Sequence, residues 1–169
     1  MIQIYCGDGK GKTTASVGLA IRGAGNDFNV LFSQFLKDDS SGEINILKNI
    51  PQIRVFHTNA FYGFVKYMSD EQKAEMKADY AELINRVERE IKENTIVILD
   101  EVIHACNFGL LEEKTLCEFL DKYSQSAEIV LTGRNPSQEL IKRADYISEI
   151  KKVRHPYDKG IEARKGIEL

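Results

Sequence analysis

The sequence predicts a three-layer α/β fold, with a mostly parallel central sheet flanked by helices. Three observations carry this. Short apolar runs alternate with longer amphipathic stretches along the chain, the pattern of repeated strand–helix–strand units. The run Thr95–Leu99 (TIVIL) is apolar or β-branched throughout, as expected of a strand buried on both faces. A glycine-rich stretch joins the first apolar run to the first helical one.

Taken in order, Ile2–Cys6 predicts the first strand and Thr13–Arg22 the first helix. Asn29–Phe35 and Ile53–His57 predict two further strands. Ser69 and Gln72 form a capping-box pattern. After it, Met76, Tyr80, Leu83, Ile84, Val87 and Ile91 recur at helical spacing. Thr95–Leu99 is the buried strand. Glu113–Tyr123 is a helix turning Leu116, Phe119, Leu120 and Tyr123 inward, and Glu128–Leu131 is a strand. A short helix follows Pro136 and Ser137. Tyr146–Val153 alternates weakly, as an edge strand does. Gly and Pro are scattered and no repeat or low-complexity segment occurs, so residues 1–169 read as one domain.

Composition bounds the function. The chain has 169 residues, 43% hydrophobic and 29% charged, with a net charge of −3. That balance does not suggest nucleic acid as a partner, although the C-terminal end offers a local basic patch. Cys6, Cys106 and Cys117 are odd in number and form no CxxC pair, which points to free thiols rather than disulfides or a zinc site. Cys6 reads as a small buried residue. No leader-like segment opens the sequence and no apolar run approaches the ~20 residues of a membrane span. The expectation is a cytoplasmic protein without a membrane partner.

Gly7-Asp8-Gly9-Lys10-Gly11-Lys12-Thr13-Thr14 follows the first strand and opens the first helix. This is the context of a phosphate-binding loop, and it predicts a P-loop NTPase-like fold. Glycines at 7, 9 and 11 allow a concave backbone whose N–H groups face phosphate oxygens, at a positively polarised helix start. Lys12 supplies a point charge, and Thr13 offers its hydroxyl to Mg²⁺. Three residues separate Gly7 from Gly11 where four are usual, with Cys6 in the first glycine's place. The expected ligand is ATP. Asp100, ending the buried strand, is the first candidate for the metal (Mg²⁺ or Mn²⁺). Glu101 is the second, as ligand or base. Thr132-Gly133-Arg134 ends another strand on the presumed ligand edge, where Arg134 can reach phosphate.

These residues resemble the ATP:corrinoid adenosyltransferases. The ordered matches are the Gly7–Thr14 loop, Arg22, Gln34-Phe35-Leu36-Lys37, Leu99-Asp100-Glu101, Thr132-Gly133-Arg134 and Arg154-His155-Pro156 through Gly160–Glu168. They span nearly the whole chain, and the contracted loop is the family's form. The resemblance implies that a cobalt(I) corrinoid attacks C5′ of ATP. The adenosyl group moves to cobalt and triphosphate leaves, with the polyphosphate reversed in its loop. Such a step needs positive charge on the leaving triphosphate, which Lys12, Thr13, Mg²⁺ and Arg134 can supply, with Lys10 a further candidate, and it calls for no nucleophile–base pair. The resemblance also implies a homodimer, a reductase supplying cobalt(I), and nucleotide or corrinoid contacts for His155 and its neighbours Arg154, Asp158 and Arg164. Phe64 matches the first of an aromatic pair that displaces the corrinoid's lower ligand, whereas Lys66 stands where the family has Trp and the chain has no Trp. The chain also opens directly on the first strand, where members commonly carry a preceding segment.

From the residues alone, Phe61, Tyr62, Phe64 and Tyr67 form an aromatic loop that either lines a face for a large planar ring or packs onto the core. His57 and His104 read as surface or capping residues. The competing functions are a P-loop kinase or ATPase acting on a small substrate, and a nucleotide-binding module without corrinoid chemistry.

Overall fold

The computed structural model describes residues 1–37, 41–58, 63 and 65–167. Six strands form one sheet: β1 (Ile2–Cys6), β2 (Asn29–Gln34), β3 (Ile53–Phe56), β4 (Thr95–Asp100), β5 (Ala127–Thr132) and β6 (Tyr146–Glu149). Their order is β3-β2-β4-β5-β1-β6. Every pairing is parallel, β6 included. The all-apolar TIVIL run is the reason β4 sits inside the sheet, where all six of its residues are buried.

Side chains alternate across each strand, so the two faces carry separate cores. Leu31, Val97, Leu99, Ile129 and Leu131 pack on one face with α3 (Asp70–Glu88), α4 (Val102–Asn107), α5 (Glu113–Tyr123) and α6 (Gln138–Arg143). Val30, Phe32, Ile96, Ile98 and Val130 pack on the other, against α1 (Lys12–Ala24) and α2 (Gly42–Leu47). The result is the expected three-layer fold.

Most element boundaries follow the sequence pattern. The capping box at α3 is formed: Ser69 Oγ accepts the Gln72 N–H at 3.2 Å, and Gln72 Oε1 accepts the Ser69 N–H at 2.9 Å. That helix stops at Glu88 rather than reaching Ile91, because its last N–H groups reach back only three residues, Glu90 to Val87 and Ile91 to Glu88. Two helices, α2 and α4, have no counterpart in the sequence reading. Each has six residues, too few for a helical period to show.

β6 ends at Glu149, short of the Val153 expected. The Ile150 N–H still donates to the Cys6 carbonyl at 2.8 Å, but the Ile150 carbonyl turns away to accept the Gly9 N–H at 2.8 Å. The segment after β6 thus lies across the back of the loop that follows β1. Gly7 has φ +105°, and a Cβ there would stand 2.4 Å from the Ile150 oxygen. Gly11 has φ +118°, with nothing within 4 Å of a Cβ.

Two measurements check this account. Ser69→Ala should cost about 1 kcal/mol, read as a melting temperature lower by roughly 2–4 °C. Gly7→Ala and Gly11→Ala both incur the strain of positive φ, about 1–3 kcal/mol. Gly7→Ala should be the worse of the two in denaturant unfolding, since it alone meets the Ile150 backbone.

Candidate nucleotide and metal site

Parallel pairing brings the carboxyl ends of four strands together. Gln34 lies beside Asp100 in the β2–β4 register, Tyr5 beside Thr132 in the β1–β5 register, and Leu99 beside Leu131 in the β4–β5 register. The loop from Gly7 to Gly11 leaves β1 at this edge, and α1 begins at Lys12 with Gly11 as its N-cap.

Within the loop, Lys12 is nearly buried, and its ammonium donates to the Gly9 carbonyl at 2.9 Å. Burial lowers its pKa from the usual lysine range, and Arg134 adds to that, while Glu101 and Asp100 oppose it. The Gly9 N–H is committed to Ile150. Of the loop amides expected to face phosphate, this one faces backwards instead. Asp8 also turns to the rear, its carboxylate accepting the Lys152 N–H at 3.0 Å. That backbone hydrogen bond is the main cause of its lowered pKa. Lys10 in the loop and Thr14 in the first turn of α1 are exposed.

The acidic part of the site centres on Asp100, which is fully buried. Thr13 Oγ1 donates to it, lying 3.0 and 3.1 Å from its two oxygens. Thr132 Oγ1 donates at 2.7 Å and the Lys37 ammonium at 3.0 Å, with Gln34 Nε2 at 3.4 Å. Lys37 also stands 3.2 Å from Thr13 Oγ1. A cation therefore already lies in the notch between the Thr13 hydroxyl and the Asp100 carboxylate. The donors there are hard oxygens, the type that suits Mg²⁺.

Glu101 adopts the left-handed conformation, φ +62°, at the start of α4. Its N–H donates to Thr132 Oγ1 at 2.8 Å, and its carboxylate touches His104 Nδ1. Burial alone would raise its pKa, but the His104 hydrogen bond and the charges of His104, Lys37 and Lys12 outweigh this, and the net shift is downward. His104 is thus a partner of Glu101 one helical turn away, and its ring stacks on Phe108 at 6.2 Å. Among the described residues no group of three or more His, Cys, Asp or Glu side chains forms a metal cage. Mg²⁺ sites commonly take one or two carboxylates and complete themselves with substrate phosphates and water.

The other expected residues scatter. Arg134 is exposed at the end of β5, within electrostatic reach of Asp8 and Lys12. His155 caps the short 3-10 turn Pro156–Lys159, its Nδ1 accepting the Tyr157 N–H at 3.2 Å. Asp158 pairs with Lys152 at 2.9 Å. Phe64, with Phe61 and Tyr62, lies outside the described residues, while Tyr67 is exposed in the turn Val65–Tyr67. Two residues that the sequence reading names only as members of motifs, with no role of their own, are central. Thr132 bridges the Asp100 carboxylate and the Glu101 backbone, and Lys37 fills the notch. The available signals were a threonine ending an apolar strand and a lysine three residues after the Gln34 strand end.

A surface hollow of about 400 Å³ beside Asn94 and Ser126 lies at the amino ends of β4 and β5. Ligands of parallel sheets bind at the opposite, carboxyl edge, where the polar groups described above converge.

Residues 1–169 match the family described as ATP:corrinoid adenosyltransferase BtuR/CobO/CobP. Corrinoid adenosyltransferase from Sinorhizobium sp. is 30% identical over 176 residues, covering 100% of this chain and 80% of the relative. Those named corrinoid adenosyltransferase in Escherichia coli K12 and corrinoid adenosyltransferase CobA in Salmonella typhimurium LT2 are 29% and 30% identical, each covering 99% of this chain and 85% of the relative. Among solved structures, the cytoplasmic domain of EssC superposes with a TM-score of 0.58 at 18% identity, over 99% of this chain and 36% of that one. EssC ATPases 2 and 3 from Geobacillus thermodenitrificans give 0.51 at 17%, over 99% and 35%. At these identities the structures speak for the fold alone, and this chain spans about a third of each. The family match over the whole of this chain, residues 1–169, settles the relationship: the chain belongs to the ATP:corrinoid adenosyltransferase family.

Proposed function

We propose that this chain transfers the 5′-deoxyadenosyl group of ATP to a cobalt(I) corrinoid and releases triphosphate. The observation that carries the reading is the pairing of a contracted phosphate loop with a buried Thr13–Asp100 notch, in a chain matched to the family from end to end. The cobalt–carbon bond forms as the C5′–oxygen bond breaks. Cobalt gives the electron pair for the new bond, and the triphosphate leaves with the pair of the old one.

The corrinoid itself supplies the nucleophile, so the protein's work is positioning and electrostatics. The loop backbone and the start of α1 cradle the polyphosphate. Lys12 exchanges its bond to the Gly9 carbonyl for a phosphate oxygen. Lys10 and Arg134, both exposed, add charge to the leaving group. Thr13 and Asp100, with Glu101 beside them, would hold Mg²⁺ or Mn²⁺, which when bound neutralises charge on the triphosphate. Thr132 fixes Asp100 and Glu101 relative to each other, and His104 orients the Glu101 carboxylate. Phe64 and His155 complete the reading on the corrinoid and nucleotide sides, on the strength of the family resemblance. So do a homodimer, a reductase that delivers cobalt(I), and a cytoplasmic location. No helix among the described residues is long and apolar enough to cross a membrane.

The test is an anaerobic incubation of the purified chain with ATP, Mg²⁺ and a chemically reduced corrinoid. The cobalt(I) absorbance should fall as one triphosphate appears per cobalt–carbon bond. ADP release without corrinoid, and no such bond, would instead identify a kinase or ATPase. Lys12→Ala should lower kcat/KM on the order of 10²-fold or more, the typical loss when a donor to developing charge is removed, while circular dichroism stays that of the parent.

A further inference from the structure

The Lys37 ammonium is placed as a metal ion would be. It lies 3.0 Å from Asp100 Oδ2 and 3.2 Å from Thr13 Oγ1. We infer that Lys37 is a built-in counter-cation, which holds the position of the divalent ion in the nucleotide-free chain and must leave before the metal can enter. This inference rests on the proposed metal site at Thr13 and Asp100.

Three features support the role. Asp100 is fully buried, and a buried carboxylate without a compensating cation is strongly unfavourable; Lys37 is that cation. The lysine is also aimed. Leu36, the residue before it, sits at φ +58°, a conformation costly for a leucine. The turn is held by the Leu36 N–H, which donates to the Tyr80 hydroxyl at 2.7 Å. Tyr80 is itself buried edge-on against Phe35. Finally, the ammonium has somewhere to go. Glu43, in the first turn of α2, lies 4.0 Å from Lys37 Nζ, and the Lys37 side chain is 28% exposed, at the boundary of the site.

A divalent ion and an ammonium repel each other strongly at one carboxylate oxygen. Bare metal therefore binds poorly while Lys37 is in place. A nucleotide changes the balance twice over: its phosphates add ligands for the metal and offer new acceptors to the released ammonium. Metal and ATP then load together, and bare Mg²⁺ does not occupy the site ahead of the substrate.

Mn²⁺ is the probe, its uptake by the nucleotide-free full-length chain followed through loss of the free-ion EPR signal. Lys37→Met and Lys37→Gln should each bind Mn²⁺ about tenfold more tightly than the parent, from removal of one adjacent positive charge. Lys37→Arg should not. Lys37→Gln keeps a hydrogen-bond donor for Asp100, so it carries the test if the methionine variant fails to fold. Adding Asp100→Asn to Lys37→Gln should abolish the gain. Unchanged or weaker Mn²⁺ binding in Lys37→Gln overturns the inference, as does a gain that survives Asp100→Asn. The parent with ATP separates the two readings. If it takes up Mn²⁺ no better than ATP does in solution, the metal site itself is wrong. If it does take up Mn²⁺ and Lys37→Gln shows no gain without nucleotide, only the role of Lys37 falls.

Discussion

The buried carboxylate of Asp100 is the constraint around which the ligand edge is organised. An ionised group taken fully out of water costs several kcal/mol unless charge and hydrogen bonds replace its hydration. Here the replacements come from four different elements: Thr13 from α1, Thr132 from β5, Gln34 from β2, and Lys37 from the turn after β2. Each partner fixes the position of its own element relative to the end of β4. The β2–β4 and β4–β5 registers are thereby pinned at their carboxyl ends by polar contacts, as they are pinned along their length by the two apolar cores. A one-residue slip of either neighbour would turn Gln34 or Thr132 to the wrong face and leave Asp100 short of a donor.

The loop is held from the opposite side. Ile150 accepts the Gly9 N–H, Lys152 donates its N–H to Asp8, and Gly7 has no room for a side chain against Ile150. These contacts come from the segment after β6, an edge strand whose four residues are all exposed. That edge lacks a core to build, and its value to the fold is as a backing plate for the loop. A loop braced in this way does not have to be reorganised by its ligand, which is the condition for dipoles and charges to act on a leaving group at full strength.

Much of this was legible in the sequence. Strand order of burial, the α3 capping box and the loop between β1 and α1 all rest on local patterns, and local patterns suffice for them. What was not legible depends on register or on very short elements. Thr132 becomes a bridge only because β5 lies beside β4. Lys37 reaches Asp100 only because Leu36 adopts a backbone conformation that nothing in Gln34-Phe35-Leu36-Lys37 announces. α4 begins at a left-handed Glu101 with no side-chain cap, so the usual start signal is missing. Gly9 was expected to present its N–H to phosphate, and the parallel β1–β6 pairing sends that N–H to Ile150 instead.

The charge distribution explains how an acidic chain can grip a polyanion. Net charge is −3 over 169 residues, yet Lys10, Lys12, Lys37 and Arg134 all belong to the loop and the strand ends around it. Two of these cations already have partners within the protein, Lys12 on the Gly9 carbonyl and Lys37 on Asp100. Neither bond is to a group that needs that particular cation once a metal–triphosphate is present, for the carbonyl is one acceptor among many and Asp100 would have the metal. Under the proposed reaction, this makes the resting contacts weak competitors of the ligand. They keep buried groups satisfied, and under that reaction they would yield to a more highly charged partner. In the proposed reaction the leaving triphosphate would need that same supply of positive charge as the C5′–oxygen bond breaks, so one set of residues would serve both binding and departure.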